Sequence, residues 1–231
     1  MLVYKINTAV CLCPYLGTFW ALSRRQPLGE IENADQTWKN LLSRFPQFEN
    51  LNVPNIQQLG LKLANKAQFL DDHIASNLFT MVHGDCKGWN IFFKKESCGH
   101  RNDLSPVLFI DMQWAGIGNP LQDVAYSLTT TLEPELLNSM DQFVDIYINH
   151  LLSLISTGNP DEEKLIRNLK QQFDLVWLDY ARVIITGLWK RFSPESIEKN
   201  KSTVGPSMIG RSILHAEFII KKISHLLNDK C

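Results

Sequence analysis

The 231-residue chain is short of the features that mark several protein classes. It has five cysteines, at Cys11, Cys13, Cys86, Cys98 and Cys231, and no CxxC pair. An odd count with these spacings argues against a disulfide framework and a structural zinc site, and suits a reducing, cytoplasmic setting. Basic residues have no excess: 23 Lys and Arg stand against 24 Asp and Glu, for a formal charge of −1. Neither nucleic acid nor an anionic membrane is therefore an expected partner. No run of 18 apolar residues occurs, so no membrane-spanning helix is expected. Residues 8–22, TAVCLCPYLGTFWAL, are mostly apolar, but Pro14 interrupts them and no small-x-small cleavage site follows. A buried N-terminal segment is expected there in place of a signal peptide.

What is present is a periodic, mostly helical pattern. Ile56, Leu59, Leu63, Ala67, Leu70 and Ile74 recur at steps of three and four, which predicts one helix face over 54–77. Short strands are expected at 79–82, 91–93 and 107–110, with the polar loop KKESCGHRNDLSP between the last two. Asn119-Pro120 and Asn159-Pro160 each read as a cap followed by proline at the first helical position. Further helices are predicted over 134–156, over the stripe Ile166, Leu169, Phe173, Val176, Tyr180 and Val183, and over Ile209, Ile213, Ala216, Ile220 and Ile223. The polar stretch SPESIEKNKSTVG, 193–205, reads as a surface loop. The fold class expected is α+β: a mostly helical single domain over 1–231, with a few short strands around one loop and an irregular segment over 1–30.

That loop is TMVHGDCKGWNIFF, residues 80–93. Phosphoryl transfer asks a protein for positioned Mg²⁺, a carboxylate beside the attacking hydroxyl and positive charge on the phosphates. Mg²⁺ takes hard oxygen ligands, one or two of them from protein and the rest from water and phosphate. Asp85 can accept or orient the hydroxyl proton, and Asn90, five residues on, can offer an amide oxygen to the metal. Asp111, at the end of the apolar run VLFID, brings a second carboxylate from another strand end.

The ordered blocks H-G-D-x4-N (His83, Gly84, Asp85, Asn90), I-D-x-Q (Ile110, Asp111, Gln113) and P-x-x-D-x-x-Y (Pro120, Asp123, Tyr126) resemble those of aminoglycoside phosphotransferases and choline kinase-like proteins, relatives of the protein kinases. The resemblance implies a protein kinase-like C-terminal lobe that uses ATP and Mg²⁺ to phosphorylate a small-molecule hydroxyl acceptor. It implies Asp85 as catalytic base, Asn90 and Asp111 as Mg²⁺ ligands, and Asp123 as a brace for the loop. Lys87 stands two residues after Asp85, where protein kinases place a lysine on the phosphates, and His83 is expected to hold backbone in place. The family's N-terminal lobe should bring a glycine-rich loop and a paired lysine. Only Gly17, Gly29 and Gly60 precede the loop, far apart, and Lys5 in LVYKI reads as a snorkelling surface residue. The stretch GTFWALSRRQPLGE looks like the segment after the hinge. The N-terminal lobe is thus expected to be largely absent, leaving an apolar upper face on which such a lobe or a partner chain could dock. The alternative to an enzyme is then a lone lobe acting as a binding or regulatory module.

Other features take simpler readings. Trp114, Trp177, Tyr180 and Trp189, with Asp174 and Asp179, could line a pocket for a cationic acceptor, but aromatics at helical spacing are more simply core. Cys86 is expected to be accessible yet unreactive. His73, His100, His150, His215 and His225 show no ligand spacing and read as surface or satisfied histidines.

Overall fold

The computed structural model describes residues 33–74, 80–93, 107–155, 162–201 and 208–229. In chain order the helices are α1 (Ala34–Arg44), α2 (Leu59–Asn65), α3 (Ala67–Ile74), α4 (Leu121–Thr131), α5 (Met140–Ile155), α6 (Glu162–Thr186), α7 (Pro194–Lys201) and α8 (Ile213–Asp229). The strands are β1 (Thr80–Val82), β2 (Ile91–Phe93), β3 (Val107–Phe109) and β4 (Gly116–Gly118). The α+β class holds, with helices dominant. The 1–30 segment, the loop 94–106 and the Asn159-Pro160 signal lie outside the described residues.

The stripe from Ile56 to Ile74 is buried throughout, but it does not ride on one helix. A 3-10 turn (Ile56–Gln58), α2 and α3 share it. The axis breaks at Lys66, whose amide splits its bond between the carbonyls of Lys62 and Leu63, both at 3.2 Å. A three-four spacing identifies which side is buried and is silent on whether the axis continues.

Helix α6 is the centre of the packing, touching α1, α2, α3, α4, α5 and α8. Its predicted stripe is buried at Leu169, Phe173, Val176 and Tyr180, and its second half also buries Trp177, Ala181, Ile184 and Ile185. A helix with neighbours on several sides needs more than one apolar face. Each such aliphatic or aromatic side chain contributes about 1.5–3 kcal/mol on burial. Thr129 of α4 pins this centre: it accepts the Trp177 indole N–H on Oγ1 at 2.9 Å, and its carbonyl accepts Nε2–H of His215 from α8 at 2.8 Å.

The expected loop at 193–205 is corrected by α7. Pro194 takes the first helical position, the Ser193 amide bonds Ser196 Oγ at 2.8 Å, and the Ser196 amide bonds Ser193 Oγ at 3.2 Å. This reciprocal cap satisfies amides that an α-helix start leaves unpaired. Ile197 anchors the turn in the core, which is too little apolar signal to betray a helix in the sequence.

Among the described residues the four strands form two antiparallel pairs, β1 with β4 (Met81 opposite Ile117) and β2 with β3 (Phe92 opposite Leu108). Both pairs lead into the HGD loop or away from it. Among the described residues no helix is long and apolar enough to cross a membrane.

Candidate active site

The loop begins where β1 ends. Gly84 has φ +80°, and a Cβ there would lie 2.2 Å from the Trp114 carbonyl oxygen. Only glycine permits both the left-handed backbone and this close approach. The Asp123 carboxylate, from the first turn of α4, accepts the amide of His83 on Oδ2 at 2.5 Å and that of Gly84 on Oδ1 at 2.9 Å. Helix α4 is itself fixed at its start. Asn119 Oδ1 accepts the Leu121 amide at 3.0 Å, and Gln122 Oε1 in turn accepts the Asn119 amide at 3.1 Å. That is the reciprocal arrangement of a capping box.

The His83 ring joins two strand ends. Its Nδ1 accepts the Asp85 amide at 3.2 Å, so the proton sits on Nε2, which donates to the Ile110 carbonyl at 2.8 Å. The Ile110 amide in turn bonds the Asn90 carbonyl at 3.0 Å. Asp111, the next residue, stands at φ 60° and ψ 59°. A left-handed residue other than glycine carries strain of about 1–3 kcal/mol, and such residues concentrate at functional sites. Its exposed carboxylate takes no hydrogen bond or ion pair among the described residues.

The Asp85 carboxylate is buried and held from both ends. Tyr126 donates its hydroxyl to Oδ1 at 2.9 Å, Lys87 Nζ reaches Oδ2 at 2.6 Å, and Asn90 Nδ2 reaches Oδ2 at 3.1 Å. Asn90 Nδ2 also donates to the Asp85 carbonyl at 2.9 Å. Two acceptors on one amide end settle its orientation, which turns Asn90 Oδ1 away from Asp85 and leaves it without a donor among the described residues. Burial, and then the hydrogen bond and charge of Asp85, push the Tyr126 phenol well up, so it is a neutral donor.

Five of the six residues expected from the sequence thus form one network: Asp123 with the amides of His83 and Gly84, His83 with Asp85, and Asp85 with Lys87 and Asn90. Asp111 adjoins it through Ile110. The sequence reading did not assign Tyr126 to Asp85. The P-x-x-D-x-x-Y spacing puts Tyr126 on the helix face of Asp123, since positions three apart share a face, but it does not name the residue its hydroxyl meets.

Cys86 is corrected: it is 0 % exposed, and burial first, with the charges of Asp123 and Asp85, pushes its thiol up. Trp177, Trp189 and Tyr180 are core, while Trp114 lies exposed with its backbone against Gly84. Gly60 packs on Trp38 inside α2.

The oxygen donors suit a Mg²⁺ ion. Asn90 Oδ1 and the Asp111 carboxylate are hard ligands with no competing donor among the described residues, and Mg²⁺ needs only one or two from protein. Among the described residues no cluster of three or more His, Cys, Asp or Glu that could hold a metal is found. Beside the loop lies a cavity of about 440 Å³, walled by Trp89, Ile91 and Phe92 on one side and by Thr130, Thr131 and Glu133 on the other.

No curated protein and no solved structure matches the chain. The model of the ecdysteroid kinase-like family matches residues 30–157, more than half of the chain and all of the network above. The resemblance drawn from the motifs holds at the level of the protein kinase-like superfamily, to which that family belongs. The chain is a member of the ecdysteroid kinase-like family, with the α+β architecture of a kinase-like C-terminal lobe.

Proposed function

We propose that the chain is the catalytic lobe of an ATP-dependent phosphotransferase acting on a small-molecule alcohol. In the reaction the acceptor oxygen bonds the γ-phosphorus, the bond from that phosphorus to the bridging oxygen breaks, and ADP leaves with the electron pair. The acceptor hydroxyl gives up its proton toward Asp85. The transition state is loose, so orientation of the hydroxyl counts for more than early proton removal. Asp85 supplies that orientation. Asn90 and Asp111 would hold Mg²⁺, which when bound neutralises charge on the β- and γ-phosphoryl oxygens. Lys87, which bonds Asp85 here, would exchange that partner for phosphate, and Asp123 and His83 keep the loop in register.

The observation that carries the proposal is the Asn90 amide. Its donor end is used on Asp85, and its oxygen is left for a cation at the strand end that also brings Asp111. The family description names ecdysteroids, which are hydroxylated steroids, and a flat apolar alcohol suits the wall of Trp89 and Phe92. Aminoglycosides and choline are the polar alternatives from the motif resemblance. Calorimetry with Mg-ATP on the wild type and on Asp111→Asn, with γ-labelled ATP transfer to a panel of alcohols, tests this. Expected are Mg²⁺-dependent binding lost in Asp111→Asn and transfer lost in Asp85→Asn. Equal Mg-ATP binding by wild type and Asp111→Asn would sink the metal assignment.

A second reading is a lobe that binds without turnover. Trp89, Phe92, Leu108, Met112, Trp114 and Ile117 are all more than two-fifths exposed around the loop. An apolar patch of this kind marks a docking face for another lobe or a partner chain. Mg-ATP binding with no transfer to any alcohol favours this reading.

A further inference from the structure

A carboxylate can accept about four hydrogen bonds, two on each oxygen. Asp85 has three in place: Lys87 and Asn90 fill Oδ2, and Tyr126 takes one side of Oδ1. Among the described residues the position left open is on Oδ1, beside the Tyr126 hydroxyl. We infer that Tyr126 is a positioning residue for phosphoryl transfer, whose hydroxyl fixes the rotation of the Asp85 carboxylate and steers the acceptor hydroxyl to the free lone pair of Oδ1. The inference rests on the phosphotransferase reading above.

The two sides of Asp85 differ in how firmly they are held. Lys87 reaches Oδ2 on a flexible side chain that is 32 % exposed, and can leave it. Tyr126 comes from α4, one helical turn after Asp123, and its ring meets that of Tyr180 edge-on at 4.8 Å between centroids and 64°. When Lys87 turns to phosphate, Tyr126 and Asn90 are what keep the carboxylate from rotating. The neighbouring Tyr180 offers a contrast: its hydroxyl is buried and has no hydrogen-bond partner among the described residues, so its part is packing. Of two phenols in edge-on contact, one is aimed at the charged group and the other is not.

Tyr126→Phe keeps the ring and removes the donor. A hydrogen bond to a charged group is worth enough to slow turnover roughly 10- to 100-fold. The expected result is kcat down by about that factor with the KM for ATP within about twofold, while Tyr180→Phe leaves both unchanged. An unchanged kcat in Tyr126→Phe, or a higher KM for ATP at constant kcat, would overturn the inference. A second readout does not need activity. In protein carrying ¹³C at the phenolic carbon of tyrosine, the Tyr126 signal is assigned by its loss in Tyr126→Phe. Donation to a carboxylate moves that signal toward the tyrosinate position, and Asp85→Asn should move it back. No displacement would overturn the contact itself. A wild type that transfers no phosphoryl group, yet shows the displacement, would reject the phosphotransferase reading and with it any catalytic use of the contact.

Discussion

His83 Nε2 lies 2.8 Å from the carbonyl oxygen of Ile110, so one ring spans from the residue after β1 to the residue before Asp111. The same ring takes the Asp85 amide on its other nitrogen. The backbones that carry the two carboxylates proposed for catalysis and for Mg²⁺ are thus tied to one imidazole, Asp85 through its own amide and Asp111 through its neighbour Ile110.

Replacing that ring tests the attachment. His83→Phe keeps an aromatic side chain but loses both hydrogen bonds. Groups that orient metal ligands typically carry 10- to 100-fold in metal affinity. Calorimetry with Mg-ATP should show a loss of that order, and unchanged affinity would mean that Asp111 is placed by other contacts.

Gly84→Ala should cost more than an ordinary left-handed glycine. Gly84 and Gly210 have nearly the same φ, +80° and +81°. A Cβ at Gly84 meets the Trp114 carbonyl oxygen at 2.2 Å, whereas at Gly210 the nearest contact is Phe192 at 3.8 Å. Urea unfolding should therefore show a loss of about 1–2 kcal/mol for Gly210→Ala, the left-handed penalty alone. Gly84→Ala should lose clearly more than that, with the overlap added. Equal losses would deny the close approach.

Stability should fall in mild acid because of His215. This histidine is 1 % exposed, and burial lowers its pKa while the bond to the Thr129 carbonyl opposes that only in part. The unfolded state therefore takes up the proton first as pH falls. The contribution is whole above about pH 6.5, the unfolded value, and is lost as pH falls through the folded one. The slope from one group is at most about 1.4 kcal/mol per pH unit. Urea midpoints at pH 7.5 and 5.5 should converge in His215→Gln relative to wild type, and an unaltered difference between the two pH values would refute this assignment.

Cys86 should resist alkylation in the folded protein. It is 0 % exposed and its thiol is pushed up by burial, and thiolate is the reactive form. Peptide mass mapping after a short treatment with iodoacetamide should find Cys86 unmodified in native protein and modified in urea. Rapid native modification would show that the HGD loop opens readily.

The residues of the network were legible in two ways. The oxygen-donor chemistry of phosphoryl transfer picked out Asp85, Asn90 and Asp111, and the motif resemblance added His83, Lys87 and Asp123. Tyr126 was part of the same spacing, but nothing in a linear pattern says that its hydroxyl crosses to a residue 41 positions earlier. Cys86 was misjudged for a related reason: adjacency to Asp85 in sequence says nothing about which way a loop residue faces. The helix at Pro194–Lys201 was hidden because Ile197 is its one apolar anchor, too few for a period.

The sequence alone determined the helical stripes, three of the four described strands and the order of the motif blocks, because periodicity and turn chemistry act over a few neighbouring residues; β4 (Gly116–Gly118) was not among them. Tertiary structure decided where helices break, that α6 is wrapped on several sides, and which atoms Asp85 meets. Part of that outcome depends on contacts between distant residues, such as His83 with Asp123 and Asp85 with Tyr126, 40 and 41 positions apart. They are settled only when the whole chain competes for the same buried space and the same hydrogen-bond partners.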